Sequence, residues 1–172
     1  MSNKGYIHLY TGNGKGKTTA AIGLAIRASG AGKRVFIGQF VKGMHYAELD
    51  ALKQFPNIEI KQYGLDCFIK NDPTQADIDA ARAGLNEVKQ VIESNKFPLV
   101  ILDEICIALF YKLFSIDEVL AMLKSKPNTM EIVLTGRYAP KELIDIADLV
   151  TEMKEIKHYY NNGVEARKGI EF

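Results

Sequence analysis

A glycine- and lysine-rich stretch near the start of the chain restricts the fold more than any other segment. Residues 11–19 read TGNGKGKTT, after an apolar run over residues 6–10 and before a helix-like run over residues 20–26. Glycines allow successive backbone N–H groups to turn inward around an anion, and the N-terminus of the helix adds a partial positive charge at the same point. This order of strand, glycine-rich loop and helix predicts a phosphate-binding loop.

Two residues at the end of this loop carry specific chemistry. Lys17 offers an ammonium group to phosphate oxygens, and Thr18 offers a hydroxyl group to Mg²⁺. The general pattern G-x-x-x-x-G-K-[ST] is not met in full, because its first glycine falls on Thr11 and only three residues separate Gly12 from Gly16. The shortened loop argues against an ordinary kinase or GTPase. The alternative, a flexible turn with incidental lysines, does not explain the strand before the loop and the helix after it.

A second motif lies where an apolar run ends in two acidic residues. Residues 98–102 are apolar and are followed by Asp103 and Glu104. A central strand with carboxylates at its tip suits a magnesium site, in which one acid holds the cation directly or through water and the other orients a neighbour. Acids at a strand end are also found simply solvated. The phosphate-binding loop upstream favours the metal site, a Walker B element.

Two arginines and one loop are further candidates. Arg137 follows a predicted strand over residues 129–135, where its planar guanidinium suits a triphosphate, although a surface ion pair is the alternative. Arg27 lies on the last turns of the first predicted helix, and by itself it indicates a solvated cation at the helix C-terminus. The loop over residues 64–73 contains Phe68 and other apolar residues. Its composition does not decide whether it packs on the core or covers a large ligand.

Strand-like apolar runs alternate with helical patterns along the chain, and the longest predicted helix covers residues 74–94. Nearly continuous apolar runs are typical of parallel strands covered on both faces. The sequence therefore predicts an α/β protein with a mostly parallel sheet flanked by helices, a RecA-like P-loop NTPase fold, as one domain over residues 1–172. Gln39 and Lys42 follow the second predicted strand, at the edge where such sheets place ligands.

Composition excludes some classes of partner. The net charge is +1 and the cationic residues are spread along the chain, so neither a nucleic acid nor an anionic membrane surface is expected as a partner. No apolar stretch reaches the length of a membrane span. The two cysteines, Cys67 and Cys106, do not make a disulfide framework, and Cys106 lies in an apolar run that suits a core position. We expect a cytoplasmic protein.

Several segments taken together resemble one family, the ATP:corrinoid adenosyltransferases of the cobalamin-pathway phosphate-loop type. The resemblance extends from about residue 5 to residue 172, and the short phosphate loop is itself a mark of the family. The segments that carry it are residues 11–21, 39–43, 100–104, 134–137, 147–153 and 157–172.

The resemblance implies transfer of the 5′-deoxyadenosyl group of ATP to the cobalt(I) of a corrinoid, with triphosphate as the leaving group, in adenosylcobalamin synthesis or salvage. It implies Mg²⁺ as cofactor, ATP and a reduced corrinoid as substrates, a flavodoxin-like or flavin reductant as partner, and a homodimer. It also implies that ATP binds reversed, with the loop on the terminal phosphate, so that the ribose C5′ faces the corrinoid.

Site residues follow from the resemblance position by position. Corrinoid binding falls on Phe68, because family members often carry a Gly-Phe-Thr-Trp-like segment there whose aromatics displace the lower cobalt ligand. Residues 64–68 read GLDCF in this chain, so the spacing differs. The implied catalytic residues are Lys17, Glu104 and Arg137, and the implied metal ligands are Thr18, Glu104 and Asp103. The implied nucleotide-binding residues are Gly12, Asn13, Gly14, Lys15, Gly16, Lys17, Thr18, Thr19, Arg27 and Arg137.

Two other functions are compatible with a phosphate loop and an acidic strand end. One is a RecA-like ATPase module that couples ATP hydrolysis to a partner, and the short loop, small size and lack of a basic surface argue against it. The other is a nucleotide kinase, which should carry an arginine-rich lid that this sequence lacks. The products separate the three functions, since only adenosyl transfer gives triphosphate and a photolabile cobalt–carbon bond.

Overall fold

The computed structural model describes residues 4–65, 69 and 72–172, and these contain one six-stranded sheet. All of its paired strands are parallel, in the order β3-β2-β4-β5-β1-β6. The predicted α/β class with a parallel sheet is confirmed. The strands are β1 (Ile7–Thr11), β2 (Val35–Phe40), β3 (Ile58–Tyr63), β4 (Leu99–Asp103), β5 (Glu131–Thr135) and β6 (Leu149–Glu152).

Helices cover both faces of this sheet. Alternate residues of β2 and β4 enter two separate apolar clusters, so that Phe36 and Val100 pack on one face while Ile37 and Ile101 pack on the other. Burial on both faces explains why these strands read as continuous apolar runs. The helices are α1 (Lys17–Gly30), α2 (Ala47–Leu52), α3 (Gln75–Ser94), α4 (Ile105–Phe110), α5 (Ile116–Lys124) and α6 (Lys141–Ile146), with a 3₁₀ turn at Tyr159–Asn162.

The face of each helix follows from its apolar stripe. Helices α1 and α2 contribute to the smaller cluster through Ala21, Ala25 and Leu52. Helices α3, α4, α5 and α6 contribute to the larger cluster on the opposite face. Cys106 lies in this larger cluster and is fully buried, as predicted. None of the helices in the described ranges is both long and apolar enough to cross a membrane.

The strand order places the predicted motifs together. Because the strands are parallel, the residues that follow them all lie at the carboxyl edge of the sheet. Strand β5 lies between β1 and β4, so the phosphate loop after β1 and the two acids at the end of β4 flank the end of β5. Strand β2 adjoins β4 on its other side and adds Gln39, which pairs in register with Asp103.

Candidate active site

The phosphate loop is held in shape by backbone contacts with the segment that follows β6. Gly12 and Gly16 have φ of 96° and 117°, a left-handed conformation that favours glycine. The Gly14 N–H group donates a hydrogen bond to the Met153 carbonyl oxygen at 2.6 Å. A Cβ atom built on Gly12 or Gly14 would lie 2.5 or 2.6 Å from that same oxygen. Both glycines are therefore needed for the close approach of Met153, whatever the loop binds.

Lys17 places a buried cation at the centre of the loop. Its side chain is 6% exposed, and its Nζ donates hydrogen bonds to the carbonyl oxygens of Gly12 at 2.7 Å and Gly14 at 2.8 Å. Burial lowers the pKa of Lys17, and the nearby charge of Arg137 lowers it further, while Glu104 and Asp103 act in the opposite direction. The structure thus brings Lys17, Arg137 and both acids into one electrostatic cluster.

Asp103 is the centre of a hydrogen-bond network at the end of β4. It is 1% exposed. Its Oδ1 accepts from the hydroxyl groups of Thr135 at 2.7 Å and Thr18 at 2.9 Å. Its Oδ2 accepts from Lys42 Nζ at 2.9 Å and Gln39 Nε2 at 3.2 Å. Four donors match the four acceptor sites of a carboxylate, so Asp103 fixes the orientation of Thr18 and has little capacity left for direct metal binding.

Glu104 has a different environment from its neighbour. Its φ of 58° is unusual for a residue other than glycine, and its backbone N–H donates to the Thr135 hydroxyl at 2.9 Å. Within the described part of the chain, no hydrogen bond reaches its carboxylate. Burial raises the pKa of Glu104, and the charge of Asp103 raises it further. Of the two acids, Glu104 is therefore the one with oxygens available to a cation.

Lys42 is a further cation at this site, from the segment after β2. Its ammonium forms an ion pair with Asp103 at 2.9 Å and lies 3.9 Å from a carboxylate oxygen of Glu48. Burial lowers the pKa of Lys42, but the charges of Asp103, Glu104 and Glu48 outweigh it, so that the pKa is raised overall. Lys42 thus stays protonated beside the two acids.

The other predicted site residues do not all lie close to the loop and the two acids. Arg137 is exposed just after β5, and its charge acts on both Lys17 and Glu104. Arg27 is exposed on the last turn of α1. Arg27 is ten positions after Lys17, about 15 Å along the helix, so the structure does not bring Arg27 to the loop. Asn13 and Thr19 are exposed, and Lys15 points toward the C-terminal segment.

The predicted corrinoid contact, Phe68, lies outside the described residues. In the same predicted loop, the Ile69 carbonyl oxygen accepts a hydrogen bond from the Tyr111 hydroxyl at 3.2 Å. Next to Tyr111, Phe110 and Tyr138 stack with ring centroids 4.6 Å apart, although their side chains are 54% and 55% exposed. They line a cavity of about 500 Å³. Two large exposed aromatics in contact are an unusual surface feature.

Sequence reasoning placed Gln39 and Lys42 at the ligand-binding edge of the sheet but assigned them no role in the site, and it did not select Thr135. All three contact Asp103, and Gln39 and Thr135 are fully buried. Their position after or at the end of a strand was the available signal, because ligands bind at the carboxyl edge of such sheets. The pattern did not reveal that one carboxylate would gather all three.

The parallel sheet and the loop after β1 define a P-loop NTPase-like α/β domain. Comparison with known proteins identifies the family more closely, since the model of the family "ATP:corrinoid adenosyltransferase BtuR/CobO/CobP" matches residues 3–172. The chain belongs to this family.

Named relatives agree with this assignment over nearly their whole length. The corrinoid adenosyltransferase CobA of Salmonella typhimurium is 33% identical over 172 residues, which cover 100% of this chain and 88% of that protein. The corrinoid adenosyltransferase of Pseudomonas aeruginosa is 36% identical over 171 residues, covering 98% of this chain and 84% of that protein. That of a Sinorhizobium species is 38% identical over 173 residues, covering 98% and 81%.

Proposed function

We propose that this protein transfers the 5′-deoxyadenosyl group of ATP to the cobalt(I) centre of a corrinoid and releases triphosphate. The observation that carries the proposal is the cluster of Lys17, Lys42 and Arg137 around Asp103 and Glu104, at the mouth of a glycine-rich loop. Membership of the adenosyltransferase family supports it. The alternative, a RecA-like ATPase module, is not favoured by that membership.

The proposed chemistry requires cations at the site and does not require a nucleophile from the protein. Cobalt(I) supplies the electron pair that forms the cobalt–carbon bond at C5′, so cobalt becomes cobalt(III). The C5′–oxygen bond breaks, and its electron pair leaves with the triphosphate. The protein therefore needs to position two substrates and to stabilise the charge that grows on the leaving group. Lys17 and Arg137 are proposed for that charge, together with backbone N–H groups of residues 12–19 other than that of Gly14, which is bonded to Met153.

Thr18 and Glu104 fit a magnesium ion accompanying the triphosphate. The Thr18 hydroxyl donates a hydrogen bond to Asp103, which leaves the lone pairs of the hydroxyl oxygen for a cation, and Glu104 contributes a carboxylate. The described residues contain no group of three or more His, Cys, Asp or Glu side chains arranged for a metal. Mg²⁺ characteristically uses one or two carboxylates with phosphate and water, so this smaller set suits it. The ion would neutralise phosphate charge, and Asp103 would hold Thr18 in place.

The stacked pair Phe110–Tyr138 suggests where a corrinoid would lie. Tyr138 follows Arg137 directly, and the pair lines the 500 Å³ cavity together with Lys112 and Arg82. A broad, partly apolar macrocycle suits exposed aromatic rings near the leaving-group cations. We place the corrinoid on this side, with Phe68 as a further contact. Arg27 stays a prediction, as do the flavodoxin-like or flavin reductant and the cytoplasmic location.

A homodimer is also proposed, on the basis of the edge strand β6. All four residues of β6 are exposed, and its Leu149 and Val150 are each 43% exposed. An exposed apolar edge strand is a surface that proteins usually cover. A second copy of the chain is the partner that the family resemblance implies.

The decisive experiment is incubation with Mg-ATP and a corrinoid that has been chemically reduced to cobalt(I). The expected result is a spectral change to a photolabile alkyl-cobalt product, with one triphosphate released for each corrinoid converted. Release of ADP or phosphate with an unchanged corrinoid spectrum would instead support the RecA-like ATPase.

A further inference from the structure

The last residues of the chain are bonded to the phosphate loop through Lys15. The Lys15 ammonium donates hydrogen bonds to Glu171 Oε1 at 2.7 Å, the Ile170 carbonyl oxygen at 2.9 Å and the Tyr159 hydroxyl at 3.0 Å. These partners are 144 to 156 residues away in sequence. The structure therefore connects the two ends of the chain at the loop.

A second ring of contacts holds these partners in place. The Tyr159 hydroxyl donates to Glu171, and the Arg167 backbone N–H donates to Glu171 Oε2 at 2.7 Å. The Arg167 guanidinium lies over the Tyr159 ring, 5.0 Å from its centroid. Lys15, Tyr159 and Arg167 together hold the pKa of Glu171 well below its usual range, so its carboxylate remains charged.

The two lysines of the loop thus have opposite orientations. Lys17 is buried and points into the loop, whereas Lys15 has a 39% exposed side chain and points to the C-terminal segment. A lysine ammonium has three donors, and all three of Lys15 are used by the tail. A phosphate could be bound by Lys15 only if one of these bonds broke.

We propose that Glu171 and Tyr159 are positioning residues for the phosphate loop, and that Lys15 is their anchor point rather than a phosphate ligand. The inference rests on the proposed function, because it takes ATP as the ligand of the loop. It assigns to the C-terminal segment a role in nucleotide affinity.

The physical reason is the conformational freedom of the loop. Residues 12–16 include three glycines, and ordering such a chain on binding costs free energy. Two contacts with the C-terminal part of the chain restrict this loop, at Gly14 through Met153 and at Lys15 through Glu171. A loop that is already ordered binds its ligand at a lower entropic cost. Loss of the anchor should therefore weaken ATP binding and leave the chemical step nearly unchanged.

The first test compares two tail glutamates. Glu171→Gln removes the charge facing Lys15, while Glu165→Gln is the matched control, because Glu165 is exposed and no described contact involves it. Calorimetry with Mg-ATP alone should show about 3- to 5-fold weaker binding for Glu171→Gln, the range expected of a partly exposed ion pair. Its KM for ATP should rise in parallel while kcat stays within about twofold. Wild-type affinity of Glu171→Gln would overturn the inference.

A double-mutant cycle then asks whether Glu171 acts through Lys15. If it does, Lys15→Met and Glu171→Gln should each weaken ATP binding by a similar factor, and the double variant should be no weaker than either. If Lys15 instead contacts phosphate, Lys15→Met alone should lose on the order of tenfold or more, and the two effects should multiply. That outcome would overturn the anchor assignment.

Two controls distinguish a wrong inference from a variant that does not fold and from a wrong proposed function. Tyr159→Phe removes one hydroxyl and keeps the ring, so it carries the test if Glu171→Gln does not fold, with a smaller loss of ATP affinity expected. Unchanged ATP affinity in Tyr159→Phe and in Lys15→Met would reject the inference. Adenosyl transfer by the wild-type protein is assayed separately. If the wild type shows no transfer but its ATP affinity still depends on the tail residues, the proposed reaction is rejected and the inference stands.

Discussion

The start of helix α1 differs from the starts of helices α3 and α5. Helices α3 and α5 start with capping boxes, in which Thr74 pairs with Asp77 and Ser115 with Glu118. Helix α1 is preceded by Gly16 at its N-cap position, which has no side chain to cap it, and the helix carries no acidic residue in its first turn. The first two starts satisfy their own N–H groups, whereas the start of α1 leaves them for another partner.

The charges near these helix starts also differ between α1 and the two capped helices. Asp77, Asp117 and Glu118 place negative charge at the N-termini of α3 and α5, where the helix dipole favours it. The Ser115 backbone N–H and hydroxyl hold the pKa of Glu118 below its usual range. At α1 the buried cation Lys17 occupies the first position, and the charge of Arg137 is near it. This arrangement is unfavourable for an isolated helix and favourable for one that binds a polyanion.

Lys17→Ala, at the start of α1, should lower the activity more than any of the other variants. A buried ammonium facing phosphate makes charge-assisted hydrogen bonds of about 1.5–3 kcal/mol, so kcat/KM for ATP should fall by about 10- to 100-fold. The melting temperature should change little, because loss of a buried charge offsets loss of two hydrogen bonds to the loop. Steady-state kinetics and thermal melting test this, with exposed Lys33→Ala as the control. Near-normal ATP binding and turnover would show that this loop is not the nucleotide site.

Glu104→Gln should have the next largest effect, on magnesium. The amide keeps the shape but loses the charge that a hard cation prefers, so the Mg²⁺ concentration for half-maximal rate should rise on the order of tenfold. Stability should not fall, since the substitution removes repulsion from Asp103. A magnesium titration of the initial rate measures this. Glu48→Gln is the control, because Glu48 also faces Lys42 but lies on α2. Unchanged activity at low Mg²⁺ would assign the metal to Asp103 or to another part of the chain.

Phe68→Ala tests the corrinoid side, where the sequence alone supplies the prediction. An apolar side chain that excludes the lower cobalt ligand would make cobalt(I) easier to reach. Turnover from cob(II)alamin with a mild reductant should therefore fall several-fold more than turnover from cob(I)alamin prepared chemically, and ATP affinity should stay the same. Equal losses in both assays would indicate general corrinoid binding. The absence of any loss would return Phe68 to the core, the alternative that its composition left open.

The sequence was most informative where the determinants are local. The strand, loop and helix around residues 11–19 and the other apolar strands were predicted close to their observed positions, because each depends on neighbouring residues. Local pattern did not reveal the left-handed conformations of Val41 and Glu104, which directly follow β2 and β4. Such conformations are strained for residues with side chains and are found preferentially at functional sites.

Contacts between distant segments were the least accessible to prediction. The four donors of Asp103 come from residues 32 to 85 positions away, so their convergence depends on the strand order. The direction of Lys15 was likewise not readable from the loop, whose pattern assigns a role to Lys17 and leaves the partner of Lys15 open. Only the position of the C-terminal segment distinguishes an anchor from a phosphate-facing lysine.

Thr74→Ala should have the smallest effect on activity, because it changes a helix start that is capped by its own side chains and is not proposed to bind a substrate. The Thr74 hydroxyl accepts from the Asp77 N–H at 3.3 Å and donates to the Asp77 carboxylate at 2.6 Å. Loss of such a cap costs about 1 kcal/mol of unfolding free energy, or about 2–4 °C in melting temperature for a chain of this size. Thr74→Ser keeps the hydroxyl and should retain most of this unfolding free energy. Calorimetry should give the same ATP affinity for both variants, since the bonds of this cap are internal to α3. A loss of ATP affinity in Thr74→Ala that Thr74→Ser restores would contradict the division between the capped starts of α3 and α5, which stabilise the fold, and the start of α1, which is proposed to bind the nucleotide.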